Sequence, residues 1–181
     1  NTNAVPVGDL LNTAFSDAHA ALAHHADEHP THDGLATTLS VVLIDQHEET
    51  TRAIAAWVGD SPIWHLRPGS PDPMRRLGGD PTGPDGRLSS WLSNTTWHAP
   101  RLASVTLETG DWLLVASDGI HALTDDQILD LVDQAAGHRD PVRLAADLVA
   151  AVGRAGAVDN VTVAAGTVCH RGQAVSTPTA P

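Results

Sequence analysis

The sequence predicts an α+β domain in which short antiparallel β-strands are combined with amphipathic helices. Three segments place apolar residues at helical spacing, and short runs of apolar and β-branched residues between them indicate strands. Gly59-Asp60 and Gly110-Asp111 separate neighbouring runs, as the turns of hairpins do. With 181 residues and no internal repeat, the chain has the length of one ordinary domain.

The first helix is predicted from Asp9 to Glu28. Its apolar residues recur at intervals of three or four positions, which is the spacing of one helical face. They are Leu11, Phe15, Ala18 and Leu22. Asp9 is the expected N-cap and Pro30 the expected stop, because proline cannot continue a helix.

Three strands are predicted in the first half of the chain. Thr37–Ile44 and Arg52–Val58 are rich in apolar and β-branched residues, which favour strands. Ile63–Leu66 follows the Gly59-Asp60 turn, so we expect it to form a hairpin with Arg52–Val58. The next segment, Pro68–Gly86, is so rich in Pro and Gly that we expect a long surface loop or flap.

The second half of the chain contains three further predicted strands. Leu102–Leu107 and Trp112–Ala116 should form a second hairpin around Thr109-Gly110-Asp111. Val161–Val168 is the last predicted strand. The final segment, Arg171–Pro181, is polar and rich in Pro and Thr, so we expect a disordered tail after a domain that spans residues 1–170.

Two helices are predicted between these strands. The first has Thr124 as its N-cap and acidic residues in its opening turn, which the helix dipole favours. Its apolar face consists of Ile128, Leu131, Val132 and Ala135. The second has Asp140 as its N-cap and Pro141 at its first position, and should end at Gly153 and Gly156. Its apolar face consists of Leu144, Ala145, Leu148 and Val152.

The charge balance excludes several classes of function. Ten basic residues, all of them arginine, stand against 22 acidic ones, which gives a formal net charge of -12. Without lysine the chain cannot build a phosphate-binding P-loop or a Schiff base. We expect no nucleic-acid partner, because nucleic acid selects clustered positive charge. An anionic substrate would require bound cations to offset the field of the protein.

Cysteine content and hydropathy predict a cytoplasmic protein with no membrane partner. Cys169 is the single cysteine, which indicates a reducing compartment without a disulfide framework. No apolar run approaches the ~20 residues of a membrane span, and the N-terminus lacks the pattern of a signal peptide. The sequence does not specify the oligomeric state.

A pair of aspartates is the candidate functional site. In LLVASDGIHAL, an apolar strand ends on Asp118, a position at which burial without a partner would be costly. Asp159 precedes the final strand, so the two carboxylates converge if these strands are antiparallel neighbours. A hard divalent cation, Mg or Mn, would suit such oxygen ligands. Turn chemistry alone is the alternative explanation, because Asp-Gly and Asp-Asn both favour turns.

Four segments, taken in order, raise the metal-binding interpretation above the turn interpretation. They are GLATTLSVVLID, AAWVGDSPIWHLRPG, LETGDWLLVASDGI and GAVDNVTV, and they are spread over nearly the whole range from Gly34 to Val168. Together they closely resemble the PPM-type, metal-dependent Ser/Thr protein phosphatases, the protein phosphatase 2C group. The resemblance implies an αββα sandwich, in which two antiparallel sheets pack together with helices on both outer faces.

The resemblance also implies roles for individual residues. Asp118 and Asp159 would be catalytic residues that bind the metals, Gly119 would permit a tight backbone at the site, and Asn160 would hold the local loop. Gly59-Asp60-Ser61 matches a turn of the family that supports the structure.

Some bacterial members place a ligand for a third, weaker metal near the position of Asp33. The offset differs in this chain, so we do not include Asp33 among the predicted ligands.

The implied activity is hydrolysis of phosphoserine and phosphothreonine in proteins by a metal-bridged hydroxide, with two Mn or Mg ions ~4 Å apart. Family members carry a further N-terminal segment that supplies a phosphate-binding Arg, an acidic ligand and an Asp-Gly pair. Nothing before the first predicted helix matches that segment. We therefore expect an N-terminally incomplete sandwich that is inactive alone, and the lack of an initiating Met favours truncation. The alternative is a non-catalytic PPM-like module that binds or regulates a phosphoprotein.

Three other residue patterns carry weaker predictions. Five histidines lie around the end of the first helix, where a zinc site is an alternative to solvated side chains. They are His19, His24, His25, His29 and His32. A serine hydrolase is not expected, because no His is placed beside Ser61 or Ser117 and the nucleophile-elbow motif is absent. The five tryptophans are expected to anchor the core or the flap. They are Trp57, Trp64, Trp91, Trp97 and Trp112.

Overall fold

A computed structural model describes residues 6–47, 50–80, 87–156 and 159–169. Within these residues the chain forms three α-helices and nine β-strands. In chain order they are α1 (Val7–Glu28), β1 (Ala36–Thr37), β2 (Leu39–His47), β3 (Thr50–Val58), β4 (Ile63–Leu66), β5 (Met74–Gly78), β6 (Leu92–Ser93), β7 (Arg101–Leu107), β8 (Trp112–Ala116), α2 (Asp125–Ala136), α3 (Pro141–Arg154) and β9 (Val163–Thr167). No helix of the described residues is long and apolar enough to cross a membrane.

The strands form two principal antiparallel sheets. One has the order β2-β3-β7 and the other the order β5-β4-β8-β9, while β1 and β6 form a small separate pair. Helix α1 packs on the outer face of the first sheet, and α2 and α3 pack on the outer face of the second. The predicted αββα sandwich is thus confirmed.

Alternation along single strands produces the layers, because successive side chains of a strand point to opposite faces. In β3, Ala56 and Val58 contact α1 at Leu11 and Phe15. Their neighbours in β3 face the second sheet and form the core between the sheets. That core contains Ala55, Trp57, Ile63 and Leu77.

The largest core lies between the second sheet and its two helices. Trp112, Leu114 and Ala116 of β8 face these helices, while Leu113 and Val115 face the first sheet. The helices contribute the apolar faces predicted from their periodicity. The fully buried members are Ile128, Val132, Leu144, Leu148 and Val152. Each of these side chains stabilises the fold by roughly 1.5–3 kcal/mol relative to an exposed position.

Both predicted hairpins are wrong, although all four of their strands exist. β3 belongs to the first sheet and β4 to the second, and the same is true of β7 and β8. β4 is instead paired on both sides, with β5 and β8, and all four of its residues are buried. A local turn changes the direction of the chain, but the burial of the following strand decides which layer that strand joins.

The Pro- and Gly-rich segment is only partly a loop. Met74–Gly78 forms β5 and pairs with β4, so the prediction of a continuous loop over Pro68–Gly86 is wrong there. Proline is tolerated at this edge of the sheet because an edge strand leaves one row of N–H groups unused. The carbonyl of Pro73 accepts a hydrogen bond from the Arg67 N–H at 2.8 Å. Residues 81–86 lie outside the described residues.

Two of the three predicted N-caps form in the structure, and one does not. Thr124 and Gln127 form a capping box at the start of α2, and Asp140 accepts from the Arg143 N–H at 3.0 Å at the start of α3. The predicted Asp9 cap is wrong, because α1 begins at Val7 and Asp9 lies within its first turn. Gly153, predicted to help end the second of these helices, lies inside α3. The predicted tail, Arg171–Pro181, lies outside the described residues.

The five tryptophans are not all core residues. Trp57, Trp64 and Trp112 are buried, whereas Trp97 is exposed to 44%. Trp91 is half-buried and its ring lies 4.6 Å from that of His98.

Candidate metal centre

Asp118 and Asp159 lie at the same edge of the second sheet. β8 and β9 pair antiparallel, and their last common register is Ala116 with Val163. Beyond that pair, the Ser117 N–H donates to the Thr162 carbonyl at 3.0 Å. The end of β8 and the approach to β9 are therefore adjacent, which was the condition on which the predicted convergence depended.

Ser117 joins the two loops that carry these carboxylates. Its Oγ donates to the Asn160 carbonyl at 3.2 Å and accepts from the Thr162 N–H at 3.0 Å. The Asn160 N–H in turn donates to Asp159 Oδ1 at 2.7 Å. Asn160 thus holds the loop through its backbone groups, and the carboxylate of Asp159 is oriented by its own neighbour.

Gly119 allows the two loops to approach closely. Asp118 begins a one-turn 3-10 helix, Asp118–Ala122, in which Gly119 is buried against the Asn160 backbone. A Cβ atom at position 119 would clash with the carbonyl oxygen of Asn160. Only glycine fits this contact, so the predicted reason for Gly119 has a steric basis.

The two aspartates line one open pocket. The 3-10 turn contributes Asp118, Gly119 and His121 to its wall, and the segment after α3 contributes Gly156 and Asp159. Asp118 and Asp159 are both exposed to solvent. The pocket is therefore accessible to an ion or to a side chain of another protein.

Asp60 adds a third acidic group to this region. Burial raises the pKa of the Asp60 carboxyl above its ordinary value, and the neighbouring carboxylate of Asp118 raises it further. Hydrogen bonding by the backbone of Asp60 and the charges of His121 and Arg76 act in the opposite direction. Repulsion between acidic groups is relieved when a cation lies between them, so the field at this pocket favours a cation.

Two residues, Thr38 just before β2 and Ser40 within β2, hold the turn around Asp60 by hydrogen bonds. Thr38 Oγ1 and Ser61 Oγ are 2.7 Å apart, and Ser40 Oγ donates to the Ser61 carbonyl at 2.7 Å. Gly59 has a φ of 100° and packs so closely on Thr38 that a side chain there would clash. Ser61 therefore links this turn to Thr38 and Ser40. The electrostatic contact of Asp60 with Asp118 was missed, because these residues are far apart in the chain.

The described residues do not form a complete metal shell. No group of three or more His, Cys, Asp or Glu side chains among them is arranged to hold an ion. Two carboxylates would supply only part of the ~6 oxygen ligands that Mg requires. Asp33 lies elsewhere, where its Oδ1 accepts from Gly34 N–H at 3.0 Å and from Asn94 Nδ2 at 2.9 Å.

Comparison with known proteins was informative only at the level of structure. No protein-family model and no curated protein matches the chain by sequence. Several solved structures of bacterial phosphatases match it over most of its length.

The Mycobacterium tuberculosis serine/threonine phosphatase PstP/Ppp is 24% identical, with a TM-score of 0.68 over 84% of this chain and 68% of its own. The PstP catalytic domain in complex with two manganese ions is 25% identical, with a TM-score of 0.69 over 93% of this chain and 74% of its own. The S. agalactiae serine/threonine phosphatase is 22% identical, with a TM-score of 0.75 over 90% of this chain and 71% of its own.

The similarity covers more than four fifths of this chain in each comparison. The chain therefore has the αββα fold of the bacterial PPM-type Ser/Thr phosphatases, the family that its motifs resemble.

Proposed function

We propose that this protein is a phosphatase domain that acts on phosphoserine and phosphothreonine in proteins, with Asp118 and Asp159 as ligands of Mn or Mg. The observation that carries the proposal is the convergence of these two carboxylates in one open pocket of a phosphatase fold. Neither carboxylate is needed to complete the core, because both are exposed.

The donors present suit a hard divalent cation, although they make only part of its shell. Both proposed ligands offer carboxylate oxygens, and Asp60, whose pKa is raised first by burial and then by the charge of Asp118, adds a carboxyl group near Asp118. A bound cation would make an attacking water more acidic and would neutralise phosphoryl oxygens. The protein would hold that cation, and the Ser117 and Asn160 hydrogen bonds would fix the loops that present the ligands.

The phosphorylated substrate would enter from solvent. The pocket is open, so a phosphoserine on the surface of another protein could reach it without unfolding of either partner. The net charge of -12 would repel a free phosphate group, and the bound cation would reverse that field locally. Substrate binding should therefore depend on the bound metal.

Metal titration tests the assignment of the ligands. We expect Mn binding by calorimetry to weaken by at least about tenfold in Asp118→Asn and in Asp159→Asn, because each removes one charged ligand. Asp133→Asn, on the exposed face of α2, is the matched control and should bind Mn like the wild type. Equal affinities in all four proteins would contradict the assignment.

A second candidate function is favoured by the incomplete shell. Fewer than three metal-binding side chains converge in the described residues, which would suit a PPM-like module that binds or regulates a phosphoprotein without catalysis. Activity on a phosphoserine peptide with Mn separates the two functions. Turnover that is lost in Asp118→Asn supports the phosphatase. Peptide binding without turnover, unchanged by that substitution, supports the module.

A further inference from the structure

His121 lies in the wall of the open pocket that Asp118 and Asp159 line, and the proposed metal ligation does not use it. It belongs to the 3-10 helix Asp118–Ala122, three residues after Asp118. Side chains three positions apart in a 3-10 helix eclipse one another, so Asp118 and His121 project from the same side of this turn. Both of them line the pocket. The imidazole is therefore presented to the same space as the carboxylates.

The ring of His121 is supported by a neighbour from the core. Its centroid lies 6.2 Å from that of the Trp64 ring, and the two planes are inclined at 79°, which is an edge-to-face contact. Trp64 belongs to β4 and is exposed to only 4%, so its own position is fixed by packing. His121 is itself exposed. The imidazole thus has a supported position and remains accessible to a ligand.

The chemistry of the pocket wall distinguishes His121 from its neighbours. The described lining consists of Asp118, Gly119, His121, Ala122, Ala155, Gly156 and Asp159. Glycine and alanine have no polar side chain, and an ionised carboxylate only accepts hydrogen bonds. Within this described lining, His121 therefore carries the one side-chain N–H donor, and every protonation form of imidazole has at least one N–H. The oxygens of an ionised phosphoryl group are acceptors and require such a donor.

Arg76 is the other basic residue whose charge acts on Asp60, and its guanidinium is engaged with the backbone. Its Nε donates to the Gly78 carbonyl at 3.2 Å, and its Nη2 donates to the Asp60 carbonyl at 3.3 Å. These bonds join the end of β5 to the turn around Asp60. Arg76 is not among the described lining residues of the pocket. His121 is therefore the better candidate for contact with a ligand in the pocket.

We propose that His121 donates a hydrogen bond to the phosphoryl group of the phosphoserine or phosphothreonine substrate and so orients that group toward a cation held by Asp118 and Asp159. The inference rests on the proposed phosphatase function and identifies a substrate-binding residue of the same site. His121 is not placed as a third metal ligand, because no three His, Cys, Asp or Glu side chains among the described residues are arranged to hold an ion. Its N–H groups are thus available to the substrate.

Binding of a phosphopeptide analogue tests the inference without requiring turnover. The probe is a synthetic peptide with the phosphonate analogue of phosphoserine, in which carbon replaces the ester oxygen and hydrolysis is prevented. It is titrated by calorimetry into the full chain at saturating Mn and near-neutral pH. We expect the affinity to fall by at least about tenfold in His121→Leu, because a hydrogen bond to a charged acceptor is lost. His121→Gln keeps an N–H donor and should stay within about threefold of the wild type.

Three controls isolate the contact with the phosphoryl group. His138→Leu removes an exposed imidazole outside the described lining and should bind the analogue like the wild type. The same peptide with unmodified serine should bind more weakly and should not distinguish His121→Leu from the wild type. Mn titration of His121→Leu should give the affinity of the wild type, since His121 is not a ligand. Urea denaturation verifies that the variants fold.

The outcomes separate this inference from the proposed function. A wild type that does not bind Mn contradicts the proposed function and the role of His121 with it. A wild type that binds Mn and the analogue, with unchanged affinity for the analogue in His121→Leu, overturns only the role of His121. Equal losses in His121→Leu and His121→Gln, or loss of Mn binding in His121→Leu, overturn that role as well.

Discussion

Strand β8 has an aspartate at each end, and the two acids are used in opposite ways. Asp111 precedes the strand and is exposed to only 1%, whereas Asp118 follows the strand and is exposed to solvent. Both positions are next to residues of the same buried core. The contrast between them separates an acid that holds the fold from an acid available to a ligand.

Asp111 is surrounded by donors. Arg67 donates to both of its oxygens, from Nε at 2.8 Å and from Nη2 at 2.9 Å. His65 Nε2 at 2.8 Å and the Glu108 N–H at 2.9 Å complete the set. Burial raises the pKa of Asp111, but the hydrogen bonds from Arg67, Glu108 and His65 outweigh burial and make the net shift downward. This charge is fully compensated in the folded state.

Asp118 has the opposite environment. Its charged neighbour is the carboxyl of Asp60, whose pKa is raised by burial and then by Asp118 itself. Acidic groups that repel one another contribute nothing to the stability of the fold. A buried carboxylate with matched donors, such as Asp111, is therefore structural. An exposed carboxylate beside another acid, such as Asp118, is a candidate ligand for a cation.

The largest expected effect is the loss of the compensated acid. Asp111→Ala leaves the buried His65 without its acceptor and leaves Arg67 paired only with Glu108, so it should lower the free energy of unfolding by about 3 kcal/mol. Urea denaturation measures this loss. Asp133→Ala, which removes an exposed carboxylate from α2, should change it by less than about 0.5 kcal/mol. Similar losses of stability in Asp111→Ala and Asp133→Ala would mean that the buried Asp111 contributes no more to the fold than an exposed carboxylate.

A second prediction concerns the backbone at the exposed end of β8. Gly119→Ala forces a methyl group onto the Asn160 carbonyl and should lower the free energy of unfolding by about 1–3 kcal/mol. We also expect a lower affinity for Mn, because the two loops must move apart. Gly153→Ala, inside α3, has open space around it and should stabilise the helix by about 0.5–1 kcal/mol. Thermal unfolding of both variants gives the comparison, and a neutral Gly119→Ala would disprove the close contact.

The pH dependence of stability should have opposite signs at the two ends. The pKa of Asp111 is lowered by folding, so its stabilisation is complete above the pKa of an unfolded aspartate and is lost as the pH falls through the native value. The pKa of Asp60 is raised by folding, so the ionised Asp60 carboxylate destabilises the folded state. This destabilisation is complete above the native pKa of Asp60 and is relieved as the pH falls through that pKa.

Both signs can be measured from the free energy of unfolding at several pH values, in EDTA to remove bound metal ions. Relative to wild type, Asp111→Asn should be less stable at neutral pH, and the difference should shrink in acid. Asp60→Asn should be more stable at neutral pH, and its advantage should vanish as Asp60 becomes protonated in the wild type. Differences of the same sign for both variants would mean that the two environments are alike.

The smallest expected effect is that of the candidate ligand on stability. Asp118→Asn removes an exposed charge that repels Asp60, so the free energy of unfolding without metal should stay within about 0.5 kcal/mol of the wild type or rise slightly. At a Mn concentration that saturates the wild type, the wild type should gain more stability than Asp118→Asn, because tighter binding to the folded state opposes unfolding more strongly. A large loss in EDTA would make Asp118 a structural residue after all.

Much of the local structure was predictable from the sequence. The Thr124 cap, the Asp140 cap and the strand Ile63–Leu66 were all found where the residue pattern indicated them. The two caps depend on interactions within about four positions of the chain, which a pattern records directly, and the strand was recognisable from its apolar composition. The approach of Asp118 to Asp159 was predictable only on the condition that their strands are neighbours, which the pairing of β8 with β9 satisfies.

Other features depend on contacts between distant parts of the chain. Arg67 and Asp111 are 44 positions apart, and the effect of Asp118 on Asp60 crosses from one loop to another. Nothing in either local segment specifies those partners. The assignment of β3 and β4 to different sheets has the same origin, because the burial of all of β4 between two other strands outweighs the turn before it.

The sequence by itself determined the helices, six of the nine strands of the described residues and the two aspartates at which metal chemistry is proposed. Those features follow from the spacing of apolar residues and from the chemistry of carboxylate oxygens. Only the tertiary structure decided the layer of each strand, the compensation of Asp111 and the support of His121 by Trp64. The physical reason is that packing and electrostatics act through distance in space, whereas a sequence records distance along the chain.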